Sequence, residues 1–138
     1  MTDVDLIEKK LAFIETCVRE LRALCQPERI PVDVREERFA AHTLQIAIQA
    51  AQDIASHIVS EGRLGEPETH RELFDLLRRN GWLDPELSVV IQRMVGFRNL
   101  VVHGYQHLNP AILQDLVVHR LDDLLAFTDS IRFRLRAS

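Results

Sequence analysis

Between Phe97 and Tyr105 the chain reads FRNLVVHGY, which places an arginine, an asparagine, a histidine and a tyrosine within eight residues. Histidine is the side chain that takes and gives a proton near neutral pH. Arginine holds a phosphate through its N–H donors and offsets charge that develops on it. If two copies of this segment face one another, two imidazoles and two guanidiniums surround one phosphodiester. Such a set suffices to cleave RNA without a metal. One imidazole takes the proton of the ribose 2′-OH and the other protonates the leaving 5′-oxygen. Arg98 and Asn99 hold the non-bridging oxygens. The 2′-OH is the internal nucleophile, which confines this chemistry to RNA.

These residues need a rigid element to carry them. Asp84-Pro85 supplies an N-cap and a proline at the first helical position, so a helix is expected from there to about Gly104. At about 100° per residue, with Arg98 set at 0°, the residues Leu87, Val90, Ile91, Met94, Phe97 and Val101 fall between about 260° and 20°. That sector is the expected core face. Tyr105 falls near 340°, close to Arg98. Gln92, Gly96, Asn99 and His103 fall between about 100° and 160° and form a second, polar and small stripe. Arg98 stands on the border of the two. The stripe holds no Lys or Glu, and its mid-helix glycine costs roughly 1 kcal/mol against alanine. A solvated face is the plain reading of such a stripe. The missing charges and the glycine favour contact with a second subunit instead, with Gly96, Asn99 and His103 at the interface and each Arg98 and His103 near its own copy.

The remaining helices announce themselves by their starts. Helix one is expected over about Asp3–Leu24, and a long central helix runs from Asp33 to about Ser60, opened by Asp33 with Glu36 as a capping box. Thr69 with Glu72 opens a short third helix ending near Gly81. Asn109-Pro110 opens a fifth that runs to about Arg134. The expected fold is all-α, an antiparallel bundle of four or five helices over residues 1–138 as one domain.

Composition narrows the function classes. The net charge is −4, so the chain is no basic nucleic-acid coat. Of its 17 basic residues only Lys9 and Lys10 are lysines. No apolar run approaches the roughly 18 residues of a membrane span. Cys17 and Cys25 lie about 12 Å apart along a helix, too far for a disulfide. A soluble cytoplasmic protein without membrane contact is expected. His103 and His107 have the H-x3-H spacing of some zinc sites. No Glu follows the first histidine, however, and the helix is expected to end between them, so neither a metal nor a cofactor is expected. Asp53 and His57 are four apart and can pair, as a structural ion pair or as support behind the cleft. His42, His70 and His119 have no partners at a telling spacing, and no nucleophile elbow or glycine-rich phosphate loop is present.

Arg98-Asn99-x3-His103 resembles the Arg-x(4–6)-His signature of the HEPN ribonucleases. With Tyr105 it becomes Arg-x4-His-x-Tyr, similar to the HepT-like toxins of two-gene toxin–antitoxin modules. The segments IQAAQDIASHIVSEGRLGEP, RELFDLL, MVGFRNLVVHGY and NPAIL resemble that family in the same order. The resemblance covers nearly the whole chain. It implies a homodimeric HEPN bundle with its cleft at the dimer interface, acting as the toxin of a type VII-like system. It implies a metal-independent endoribonuclease with Arg98 and His103 catalytic. The implied partner is a minimal nucleotidyltransferase antitoxin that transfers AMP onto Tyr105. The rival reading is a non-catalytic subunit that docks a nucleotidyltransferase and holds a nucleotide phosphate with the same residues.

Overall fold

The computed structural model describes residues 3–102 and 109–137; for residues 100–102 the description covers the helical backbone alone. The described residues form six α-helices: α1 (Val4–Leu24), α2 (Val34–Gly62), α3 (His70–Arg79), α4 (Pro85–Val102), α5 (Pro110–His119) and α6 (Leu121–Ala137). A short 3-10 turn, Pro27–Arg29, joins α1 to α2. The fold is all-α, and among the described helices none is long and apolar enough to cross a membrane.

Most helix starts follow from local chemistry. The first N–H groups of a helix lack intrahelical partners, and a short polar side chain satisfies one. Asp3 accepts from the Leu6 N–H (3.1 Å), Asp33 from Arg35 (2.9 Å), Thr69 from Glu72 (3.2 Å), Asp84 from Leu87 (2.8 Å) and Asn109 from Ala111 (2.9 Å). The expected box at Asp33 does not close. The Glu36 carboxylate reaches instead across the turn, to the Gln26 N–H at 2.9 Å, and fastens the α1–α2 connection.

The expected fifth helix is two helices. At Arg120 the backbone turns to φ −115° and ψ 0°, and Asp122 and Asp123 open a new first turn. The break redirects the chain. α5 packs on α2 and the 3-10 turn, where Gln114 donates to the Pro27 carbonyl at 2.9 Å, whereas α6 packs on α1 and α4. One straight helix could not reach both surfaces.

α2 is the centre of the bundle and meets α1, α3, α4 and α5. Its buried Ala40, Ala47, Ala51 and Ala55 give neighbouring backbones room, and Leu44, Ile48, Ile54 and Ile58 fill the space between. Phe74 of α3 meets Phe127 of α6 edge to face, with ring centroids 6.1 Å apart. Arg132 of α6 staples α1. Its Nη1 and Nη2 donate to the two oxygens of Glu15 at 2.9 and 2.8 Å, and its Nε donates to Glu8 at 3.0 Å. Cys17 and Cys25 are free thiols, and burial pushes each up to about 11.

Candidate active site

α4 carries the candidate residues Arg98 and Asn99, and the helix packs on α2, α3 and α6. Leu87, Ile91, Met94 and Phe97 are buried as the periodicity predicts. Ser88 and Val95 are fully buried as well, which the wheel does not anticipate. Ser88 donates to the Phe74 carbonyl of α3 at 3.3 Å, and Gln92 donates to the Ser88 hydroxyl at 3.0 Å. The buried arc therefore widens to about 180° and reaches the edge of the polar stripe. Arg98 stands inside that arc, flanked on the wheel by buried residues on both sides, rather than on its border.

The Arg98 side chain is half-buried, and its Nε is buried with no hydrogen-bond partner among the described residues. Its Nη1 donates to Asn99 Oδ1 at 3.3 Å and its Nη2 donates to Gln49 Oε1 on α2. Gln49 Nε2 in turn donates to Asp53 Oδ1 at 2.9 Å. Lys10 of α1 meets Asp53 Oδ2 at 3.4 Å. Asp53 thus belongs to a chain that ends on Arg98, and it is not paired with His57 as the spacing allows. His57 Nε2 accepts the Asp3 N–H at 3.3 Å, at the start of α1. Gln49 is the residue that the sequence reading missed. Its one signal is the spacing of four to Asp53, a separation at which Gln–Asp pairs bond along a helix.

Gly96 and Asn99 lie on the same helix, both partly exposed. Apart from the backbone of its own helix, a methyl group at Gly96 would meet no atom of the described residues within 4 Å, so this part of the stripe is open toward them in the single chain. A groove of about 460 Å³ between α1 and α2 adjoins the tether, lined by Lys9, Lys10, Phe13, Gln49 and Asp53 among others. His103, Tyr105 and His107 lie outside the described residues. Among the described residues no cluster of three His, Cys, Asp or Glu could hold a metal ion.

This arrangement presents a cationic guanidinium whose described partners are neutral amides. Five N–H donors belong to an arginine. Two are engaged, Nε–H is buried, and one hydrogen remains on each terminal nitrogen. Asn99 uses Oδ1 toward Arg98, which leaves its Nδ2 as a donor. These groups suit the non-bridging oxygens of a phosphodiester.

Residues 14–131 match the family model described as Ribonuclease HepT-like. Over 129 residues the chain is 34% identical to a protein named mRNA nuclease HepT from Shewanella oneidensis, covering 93% of this chain and 97% of that protein. It is 32% identical over 117 residues to one named tRNA nuclease HepT from Aphanizomenon flos-aquae, covering 80% of this chain and 78% of that protein. Among solved structures, a tri-AMPylated Shewanella oneidensis HEPN toxin in complex with MNT antitoxin matches with a TM-score of 0.87 at 34% identity, covering 96% of this chain and 99% of that one. The helical fold and these matches converge, and the chain belongs to the HepT-like ribonuclease family.

Proposed function

We propose that this chain is the toxin of a two-gene toxin–antitoxin module, a cytoplasmic endoribonuclease that needs no metal. Two copies pair through the α4 face of Gly96, Asn99 and His103 and bring two Arg98 and two His103 together. The observation that carries the reading is Arg98, held on α4 by the neutral amides of Gln49 and Asn99 and with no acid partner among the described residues, in a chain similar to proteins named mRNA and tRNA nucleases.

In the proposed reaction one His103 takes the proton of the ribose 2′-OH, whose oxygen attacks the phosphorus. The bond from phosphorus to the 5′-oxygen breaks, and the second His103 gives that oxygen a proton. The products are a 2′,3′-cyclic phosphate and a 5′-OH. Arg98 and Asn99 Nδ2 hold the non-bridging oxygens as charge builds on them. Control falls on Tyr105, which accepts AMP from a partner nucleotidyltransferase. An adenylyl group carries a phosphodiester of its own and competes with RNA for the arginine. The similar solved complex of an AMPylated toxin with its antitoxin supports this part of the reading.

The test is RNA cleavage with EDTA present. The expected product ends in a cyclic phosphate, and Arg98→Ala and His103→Ala should each lose activity. The same protein, incubated with ATP and the nucleotidyltransferase encoded beside it, should gain mass in AMP steps, and the Tyr105→Phe variant should not. Uncut RNA with intact binding of the partner would instead favour the non-catalytic phosphate-binding subunit.

A further inference from the structure

The guanidinium of Arg98 is connected to α1 and α2 by a chain of bonds with a fixed direction. Arg98 Nη2 donates to Gln49 Oε1, Gln49 Nε2 donates to Asp53 Oδ1, and Lys10 Nζ donates to Asp53 Oδ2. A guanidinium and an ammonium only donate, and a carboxylate only accepts. The amide is the group in this chain that does both, and its two partners permit one orientation of it. Oε1 must face the arginine and Nε2 must face the acid.

The amide passes on position without passing on charge. A carboxylate at position 49 would hold Arg98 equally well but would neutralise it before a phosphate arrived. Asp53, the acid in this series of bonds, stands behind Gln49 and is balanced by Lys10 at 3.4 Å. A guanidinium tied at Nη2 by Gln49 and at Nη1 by Asn99 has little freedom to turn about its Nε–Cζ axis.

We propose that Gln49 is the positioning residue for Arg98 in RNA cleavage, oriented for that task by the Asp53–Lys10 pair. This rests on the ribonuclease reading above. Gln49 does not touch the reacting atoms; it sets where the arginine's remaining hydrogens lie. A residue that only filled space between α2 and α4 would be replaced by leucine without consequence for Arg98.

The experiment uses the full chain labelled with 15N-arginine, with the Arg98 Nε signal identified by its loss in Arg98→Lys. In the wild type its order parameter should be about 0.8, and in Gln49→Leu it should fall below about 0.6. Asp53→Ala should move it in the same direction. With an RNA oligonucleotide, Gln49→Leu should lower kcat on the order of ten- to a hundredfold while KM changes much less. Added to Arg98→Lys, it should cause no further loss, because the two act as one unit. Gln49→Glu separates position from charge, since Arg98 should stay ordered while KM rises and the rate falls. Equal order of Arg98 in Gln49→Leu and wild type overturns the tether, whatever the RNA does. Lost order with a wild-type rate overturns its part in the reaction. RNA left uncut by the wild type would refute the ribonuclease reading and, with it, the role in cleavage, while the Nε signal would still decide whether Gln49 holds Arg98.

Discussion

Gly96 offers a perturbation whose two effects have opposite signs. It sits in α4, where a methyl group would meet nothing within 4 Å among the described residues outside its own helix backbone. In the single chain a methyl group can enter without displacing any described residue. Replacing the glycine by alanine then removes a helix penalty of about 0.8–1 kcal/mol. For a chain of this length that corresponds to a rise in Tm of about 3 °C. In the proposed two-fold dimer the same face meets its own copy. Gly96→Leu would intrude there twice, and overpacking of a close contact costs about 1–3 kcal/mol for each copy. The sum, about 2–6 kcal/mol, weakens dimerisation between about thirtyfold and twenty-thousandfold. Sedimentation velocity over a dilution series from tens of micromolar downward reads this directly. Melting at a dilution where the monomer dominates reads the helix effect of Gly96→Ala. A Gly96→Leu protein that dissociates at the wild-type concentration removes this face from the interface. A Gly96→Ala monomer that melts lower than wild type refutes the open-space argument itself.

Three further outcomes concern the scaffold. Arg132→Met leaves Glu8 and Glu15 without their guanidinium and should lower unfolding free energy by about 1–3 kcal/mol in a urea titration. The same hydrogen bonds hold the Glu15 carboxyl below its usual 4.5. A depressed acid stabilises the fold in full above that value and loses the contribution as pH falls on through its lower folded-state value, so the acid limb of stability against pH should be shallower in Glu15→Gln. Gln52 is buried in α2, and among the described residues neither end of its amide has a hydrogen-bond partner. Gln52→Met should therefore raise the urea midpoint, by about 1 kcal/mol in free energy; a lower midpoint would mean that the amide does have a partner in solution.

The helix starts were legible because a cap is a local event. Asp3, Asp33, Thr69, Asp84 and Asn109 each bond an N–H two or three residues ahead, and that spacing is written in the chain. Glu36 was misread because its partner, the Gln26 N–H, lies across a turn whose shape the spacing does not convey. The break at Arg120 was missed because neither glycine nor proline marks it. The signal present was the acidic pair Asp122 and Asp123, which suits a helix start better than a helix middle. On α4 the wheel found the core face but not its width, since the helix packs on α2, α3 and α6 rather than on one neighbour, and Val95 and Ser88 are buried as well. The role of Asp53 depended on docking in the same way. One turn forward lies His57 and one turn back lies Gln49, and the sequence treats the two alike. The arrival of α1 decides between them: the Asp3 N–H bonds His57, and Lys10 meets Asp53.

The partners of the arginines divide them by how they respond to ionic strength. Arg22 with Asp122, Arg29 with Asp33 and Arg79 with Asp75 are ion pairs whose arginines are exposed, and added salt weakens such pairs. The described bonds of Arg98 end on the amides of Gln49 and Asn99, which carry no charge to screen. Salt should thus loosen those surface contacts while leaving the grip on Arg98 intact. What salt would reach is the attraction between that guanidinium and a phosphate arriving from solution. Raising the salt concentration would then separate binding from order, turning away the visiting anion while the arginine stays where the fold holds it.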